Sequence, residues 1–289
     1  MRRIKRGWGL TKKSWALLNG HRSLLRFPLY GAVATILPAI VFLGPGLYLF
    51  DQDELAGAIP LIVLGVYALS VIGFFFSVAL AACADMIFRG QEATVADGLA
   101  VARSRFAQIC GWAAVNTAIS AVMGALENQG GIGGQIAARL VGMAWSLVTF
   151  LAVPVIAIEG TGPIETIQRS ASMFRQRWGQ QITGNIAIGG AVFLFGVLPA
   201  ILLIVIGVAL WSSASFLGAL FVVVGALVLA VSMLVSKALS GIFGVALYRY
   251  ALDGETVGGF TAEELESAVK TKGRRWGKST PPGATPGTI

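Results

Sequence analysis

Six long apolar runs divide this chain, at roughly residues 27–50, 58–88, 106–126, 138–158, 183–211 and 216–252. A helix rises 1.5 Å per residue, so about 20 residues cross a hydrocarbon core of about 30 Å, and every run meets that length. Lipid offers no partner for backbone N–H and C=O groups, which forces such runs into helices. The expected fold is therefore all-α: a polytopic six-helix transmembrane bundle over residues 27–252. A hydrophobic share of 56% and a charged share of 12% agree, since a soluble domain carries about 25% charged residues.

Basic residues orient the bundle. Alternate connections hold 21 of the 22 Lys and Arg residues, and Arg139 stands alone on the other side. By the positive-inside bias this places both termini in the cytoplasm. The net charge of +8 belongs beside the apolar spans, not to a soluble basic module, which argues against nucleic acid as a partner. The first run exceeds the roughly 7–15 apolar residues of a signal peptide, so a retained span is expected despite the cleavage-like Ala56-Gly57-Ala58. Cys83 and Cys110 lie in or near spans and read as small packing residues.

The basic connections carry structure of their own. Over residues 1–26, Ile4, Trp8, Thr11, Trp15 and Leu18 recur at helical spacing, with Lys5, Lys12 and Lys13 opposite. Tryptophans across from lysines suit a helix lying among lipid headgroups. In the next basic connection Thr94 can cap a helix with Asp97 in its first turn, and Val95, Leu99, Ala102 and Phe106 share a face. Its last turn brings Arg103. In the third, Pro163 suits a first helical turn, Glu165 complements the helix start, and Arg175 and Arg177 complement its end. There Ile164, Ile167, Ala171, Phe174 and Trp178 form an apolar stripe, the pattern of an amphipathic interfacial helix.

These segments invite a reading as three units, each an interfacial helix followed by a transmembrane hairpin. Each carries a basic residue before a serine: Lys13-Ser14, Arg103-Ser104 and Arg169-Ser170. The second and third also share a G-x-x-[AP] turn, Gly90 to Ala93 and Gly160 to Pro163, shortly after an acid, Asp85 or Glu159. Composition alone can produce such likeness. Beyond the last run, Thr261-Ala-Glu-Glu264 is a capping-box signature opening a short cytoplasmic helix within 253–271. The tail 272–289, rich in Pro and Gly, is expected to be disordered.

Catalytic groups are sparse. A single histidine, His21, leaves no His cluster for a metal or for acid–base work. Ser267-Ala-Val-Lys270 has S-x-x-K spacing without its partner motifs, and Gly277-Lys278-Ser279 lacks a correctly spaced glycine and a preceding strand. No enzyme activity, cofactor or metal is expected. Ionisable residues at membrane depth are expensive and mark function by default; Asp85 and Lys237 are the candidates. Asp85 is four residues before Arg89, a spacing for a local ion pair. Lys237 is expected near the cytoplasmic interface, its stem snorkelling, with the turns beyond it packed under the bundle. Small residues at Ala214 and Gly218, and at Ser240 and Gly244, permit close helix approach, within one bundle or between copies.

The run Arg6-Gly-Trp-Gly-Leu-Thr-Lys-Lys-Ser-Trp15, the stretch Ala144-Trp-Ser-Leu with Val153-Pro-Val, and the segments Glu159-Gly-Thr-Gly-Pro-Ile-Glu165 and Arg169-Ser-Ala-Ser-Met-Phe174 resemble a family of uncharacterised bacterial integral membrane proteins, defined as a domain of unknown function. The plan of interfacial helix plus hairpin is also loosely similar to the membrane domain attached to some glycerophosphodiester phosphodiesterases. No phosphodiesterase domain is present, so that activity does not carry over. The resemblance implies a bacterial plasma membrane and a helical bundle, and assigns no catalytic or binding residues.

Two functional classes remain. One is a non-enzymatic protein organising membrane lipids, anionic ones above all, or a partner protein or second copy, at the cytoplasmic leaflet; its candidate residues are Lys12, Lys13, Trp15, Asp85, Arg103, Arg169, Arg175, Arg177 and Lys237. The other is a transporter or channel for a small or amphipathic solute, favoured if Asp85 and Lys237 face each other.

Overall fold

The computed structural model describes residues 20–129, 131–178, 197–211, 215–262 and 265. Lys12, Lys13, Trp15 and the tail 272–289 lie outside them, as does most of the helix expected after Thr261. There the amide of Leu265 donates to the carbonyl of Thr261 at 3.0 Å, the bond of a first turn.

The described elements are helical. A 3-10 turn at Arg22–Leu25 leads into α1, Arg26–Pro38, which widens into a π turn at Ala39–Leu43 and continues as α2, Gly44–Asp51. Pro45 has no N–H for the carbonyl of Val41, and the wide turn lies at that break. Then follow α3 (Leu55–Phe88), α4 (Val95–Ser104), α5 (Phe106–Gln129), α6 (Gly131–Ile158), α7 (Pro163–Trp178), α8 (Leu198–Leu210) and α9 (Ser215–Asp253).

Four of these stretches are long and apolar enough to cross a membrane: Ser23–Asp51, Leu55–Phe88, Phe106–Leu126 and Ser215–Asp253. The expected run at 138–158 is helical throughout. It lies wholly within α6, and its end, Val148–Ile158, with Pro163–Met173 across a bend of 117°, is a further candidate, as a broken span or a re-entrant loop. The run at 183–211 is described only from residue 197, where Leu198–Leu210 is a shorter apolar helix.

Exposure divides the molecule along its long axis. Apart from Leu252 near its end, the exposed large apolar side chains of α9 run from Phe216 to Met233, a rise of about 26 Å that matches a hydrocarbon core. They are joined by Leu29 to Phe50 on α1 and α2 and by Leu55 to Val66 on α3. Beyond this band α3 and α9 enter a packed interior. Residues Val78 to Asp85 of α3 and Ile242 to Tyr248 of α9 are buried without interruption. A helix buried on every face sits inside a packed core. The turns after Lys237 are thus packed, as the sequence predicts.

Small residues permit that enclosure. At Gly98 of α4 a Cβ would stand 2.6 Å from both the Ala79 carbonyl oxygen and Cys83 Sγ, and 2.8 Å from Phe27 Cζ. The helix therefore lies directly on α3, and α1 closes it off. Gly207 of α8 and Gly218 of α9 meet likewise, each 2.7 Å from the other's carbonyl oxygen if given a Cβ. Gly218 thus serves packing within the chain. Thr94 caps α4: the Asp97 amide donates to Thr94 Oγ1 at 3.3 Å and the Thr94 amide to Asp97 Oδ2 at 2.9 Å. The Thr94 hydroxyl, and then its backbone amide, hold the exposed Asp97 carboxyl below its ordinary value.

Candidate functional site

Two chemistry-bearing regions stand out, a cluster of charges at the enclosed end and a cavity beside the apolar band. The charge cluster begins with two turns of similar build. At the end of α3, Asp85 is followed by Gly90 with φ +75°, and at the end of α6, Glu159 is followed by Gly160 with φ +70°. Both glycines use the left-handed region that other residues avoid, and both turns launch an amphipathic helix, α4 or α7. The guanidinium of Arg105 packs over the Cα of Gly160, where any side chain would collide with it.

Both acids are engaged by neighbouring residues of α9. Arg249 Nη2 lies 2.7 Å and Nε 2.8 Å from Asp85 Oδ1, while Arg89 Nη2 lies 2.9 Å from Asp85 Oδ2. The expected Asp85–Arg89 pair is present. Arg249 also reaches Glu255 at 3.2 Å. One residue earlier, Tyr248 donates its hydroxyl to Glu159 Oε1 at 2.7 Å. Arg169 Nε donates to both oxygens of Glu159 at 3.1 Å. Side-chain exposure of 13% for Arg249 and 9% for Asp85 makes their bond a largely desolvated one, held by complementary charges on all sides.

Each of the three carboxylates, Asp85, Glu159 and Glu255, is engaged by at least one arginine. Such an arrangement ties helix ends together. Sequence reading missed Tyr248, Arg249 and Glu255. The signal was present, since a lone arginine in the apolar extension after Lys237 requires a counter-ion.

The other predicted residues are dispersed. Arg103 is exposed on the last turn of α4, with its neighbour Ser104 bonded back to the Val101 carbonyl at 2.8 Å. Arg175 is exposed on α7, and the side chain of Arg177 is outside the described set. Ser170, beside Arg169, is fully buried, and its Oγ has no hydrogen-bond partner among the described residues. The two described basic–serine pairs, Arg103-Ser104 and Arg169-Ser170, therefore do not occupy equivalent environments. Lys237 does not meet Asp85: it lies twelve residues before Arg249 on α9, about 18 Å along the axis.

Lys237 instead borders a cavity of about 940 Å³ between α1, α3, α6 and α9. Gly31 and Ala32, Phe76, Phe150 and Met233 line it. Much of its polar lining is turned inward on its own helix: Ser77 Oγ donates to the Gly73 carbonyl at 2.7 Å and Thr149 Oγ1 to that of Trp145 at 3.0 Å. Asn116 accepts from Trp145 Nε1 at 3.1 Å. Backbone and side-chain polar groups satisfied in this way are what a lipid environment demands.

Long apolar helices, a band of exposed apolar side chains and internally satisfied polar groups are the features of a membrane-embedded helical protein. This chain belongs to the DUF6159 family, a family of unknown function, whose model matches residues 55–259. The match begins at α3 and ends just past α9, so it contains the whole charge cluster. A comparison with curated proteins gives no match.

Proposed function

We propose that this protein is a non-enzymatic, six-span protein of a bacterial plasma membrane that holds lipid at the cytoplasmic leaflet, with both termini on that side. The single observation that carries this reading is the meeting of an apolar cavity with the basic end of the bundle, at Lys237. The 21-to-1 split of basic residues supports a cytoplasmic assignment for that end. The neutralised cluster around Asp85 and Glu159 supports a structural role for those residues. The amphipathic helices α4 and α7, and the basic segment 1–26, supply a surface for anionic headgroups, each Lys or Arg near the surface adding about 1 kcal/mol.

Native mass spectrometry of the protein taken directly from its membrane tests the reading. Retained phospholipid, enriched in anionic species, is the expected result. Protein that emerges bare, with neither lipid nor a reproducible protein partner, overturns it.

The size of the cavity favours a second reading, transport of a small or amphipathic solute, because pockets for such ligands span about 300–1,000 Å³. Flux in proteoliposomes decides it. Transport that survives Lys237→Met and Asp85→Asn unchanged removes the version that uses these residues.

A further inference from the structure

We propose that the cavity holds one acyl chain of an anionic phospholipid drawn from the surrounding bilayer, with the Lys237 ammonium bound to its phosphate. The proposal deepens the lipid-holding reading and rests on it.

Lys237 is the only charged residue among the described residues that line the cavity. It makes no ion pair among the described residues, and the acids of the charge cluster further along α9 are engaged elsewhere: Asp85 by Arg89 and Arg249, Glu159 by Arg169 and Tyr248, Glu255 by Arg249. A cation beside an apolar wall is stabilised by an anion from outside the chain. A phosphate meets that need, and the adjoining cavity meets the need of its chain.

The position of Lys237 fits a lipid rather than a dissolved anion. The exposed apolar band of α9 stops at Met233, one turn before Lys237. The ammonium thus stands at the margin where a leaflet changes from chains to headgroups, and the cavity lining on α9 runs to both sides of it, from Ala230 to Gly244. The Ser77 and Thr149 hydroxyls are spent on carbonyls of their own helices, so at these positions the wall offers carbon to an occupant. A hydrated solute gains little from such a wall, whereas a methylene chain gains contact along its length. Ser240, three residues after Lys237 and also in the lining, shares its helix face and can donate to the same phosphate.

The test uses the full chain, reconstituted in phosphatidylcholine nanodiscs containing increasing phosphatidylglycerol, with retained lipid counted by native mass spectrometry after release. Wild type should retain one phosphatidylglycerol in preference to phosphatidylcholine. Lys237→Met should weaken that preference about fivefold, the effect of one basic residue at a membrane surface, and Lys237→Arg should restore it. Ala230→Phe, which projects a ring from the cavity wall, should reduce retention of both lipids. Thermal unfolding of each variant in the same nanodiscs identifies loss of fold, in which case Ser240→Ala and Lys237→Gln replace it. Retention by wild type that is unchanged in both the Lys237 and Ala230 variants overturns this site and leaves the broader reading standing. Wild type that retains no lipid overturns both, and a fatty acid or a protein chain in place of phosphatidylglycerol overturns the assigned occupant.

Discussion

Helix α9 passes through two environments, and its residues change with them. From Phe216 to Met233 it presents large apolar side chains outward, Phe216 being 82% exposed. From Ala238 to Ala251 it is wrapped by α3, α6 and α7, with Phe243, Val245 and Leu247 buried. The first region owes its position to the solvent: lipid tails are as apolar as the side chains, so helix packing there gains little from hydrophobic burial. The second owes its position to other parts of the chain. It combines small residues, Gly241 against Leu80 and Gly244 against Phe150, with the ionic bond of Arg249 to Asp85 and the hydrogen bond of Tyr248 to Glu159. Mechanical integrity is therefore expected to reside at the charged end, and tolerance to change in the lipid-facing band.

The largest effect should come from Asp85→Leu. It leaves Arg249 buried beside Arg89 with no carboxylate between them, a change that costs about 3–5 kcal/mol. Unfolding in mixed micelles with increasing denaturing detergent should show it, with partial recovery in the double variant Asp85→Leu, Arg249→Met. A change under 1 kcal/mol for Asp85→Leu would mean that the ionic cluster does not hold the helix ends together.

Next comes Tyr248→Phe. Its hydroxyl bond to Glu159 joins α9 to the end of α6, and hydrogen bonds to charged groups contribute about 1.5–3 kcal/mol. Gly98→Ala should cost about 1–3 kcal/mol by overpacking, since the atoms it meets include the Ala79 carbonyl, which is backbone and cannot rotate aside. Hydrogen exchange should then increase in α4 and the end of α3 more than in α8.

Phe216→Ala, in the exposed band, should change the unfolding midpoint by less than about 0.5 kcal/mol. A penalty as large as that of Gly98→Ala would dissolve the contrast between the two regions and point to a protein neighbour on that face.

The smallest effect concerns pH. Asp97 has a depressed folded value because Thr94 donates to it. Its capping contribution is complete above the ordinary carboxylate value and is lost as pH falls through the depressed one. Thr94→Val should raise the Asp97 midpoint, followed by carboxyl carbon chemical shift, and start the acid loss at higher pH.

Much of this architecture is written in local patterns. The ends of α3, the Thr94 cap, the opening of α7 at Pro163 and the Asp85–Arg89 pair all involve residues within a few positions of each other, where helical geometry alone specifies the neighbours. The apolar runs likewise report on the solvent, which every residue meets by itself. The bend that joins α6 to α7 was less legible, because nothing near Glu159 says how far the next helix folds back.

Hydropathy thus determined, from the sequence by itself, an all-helical protein suited to a membrane. Only the tertiary structure decided what the intramembrane charges do. Arg249 finds Asp85 across 164 positions and Tyr248 finds Glu159 across 89, and Lys237 finds a cavity assembled from separate helices. Ion pairing and cavity formation depend on distances in space, which the order of residues along one helix leaves open.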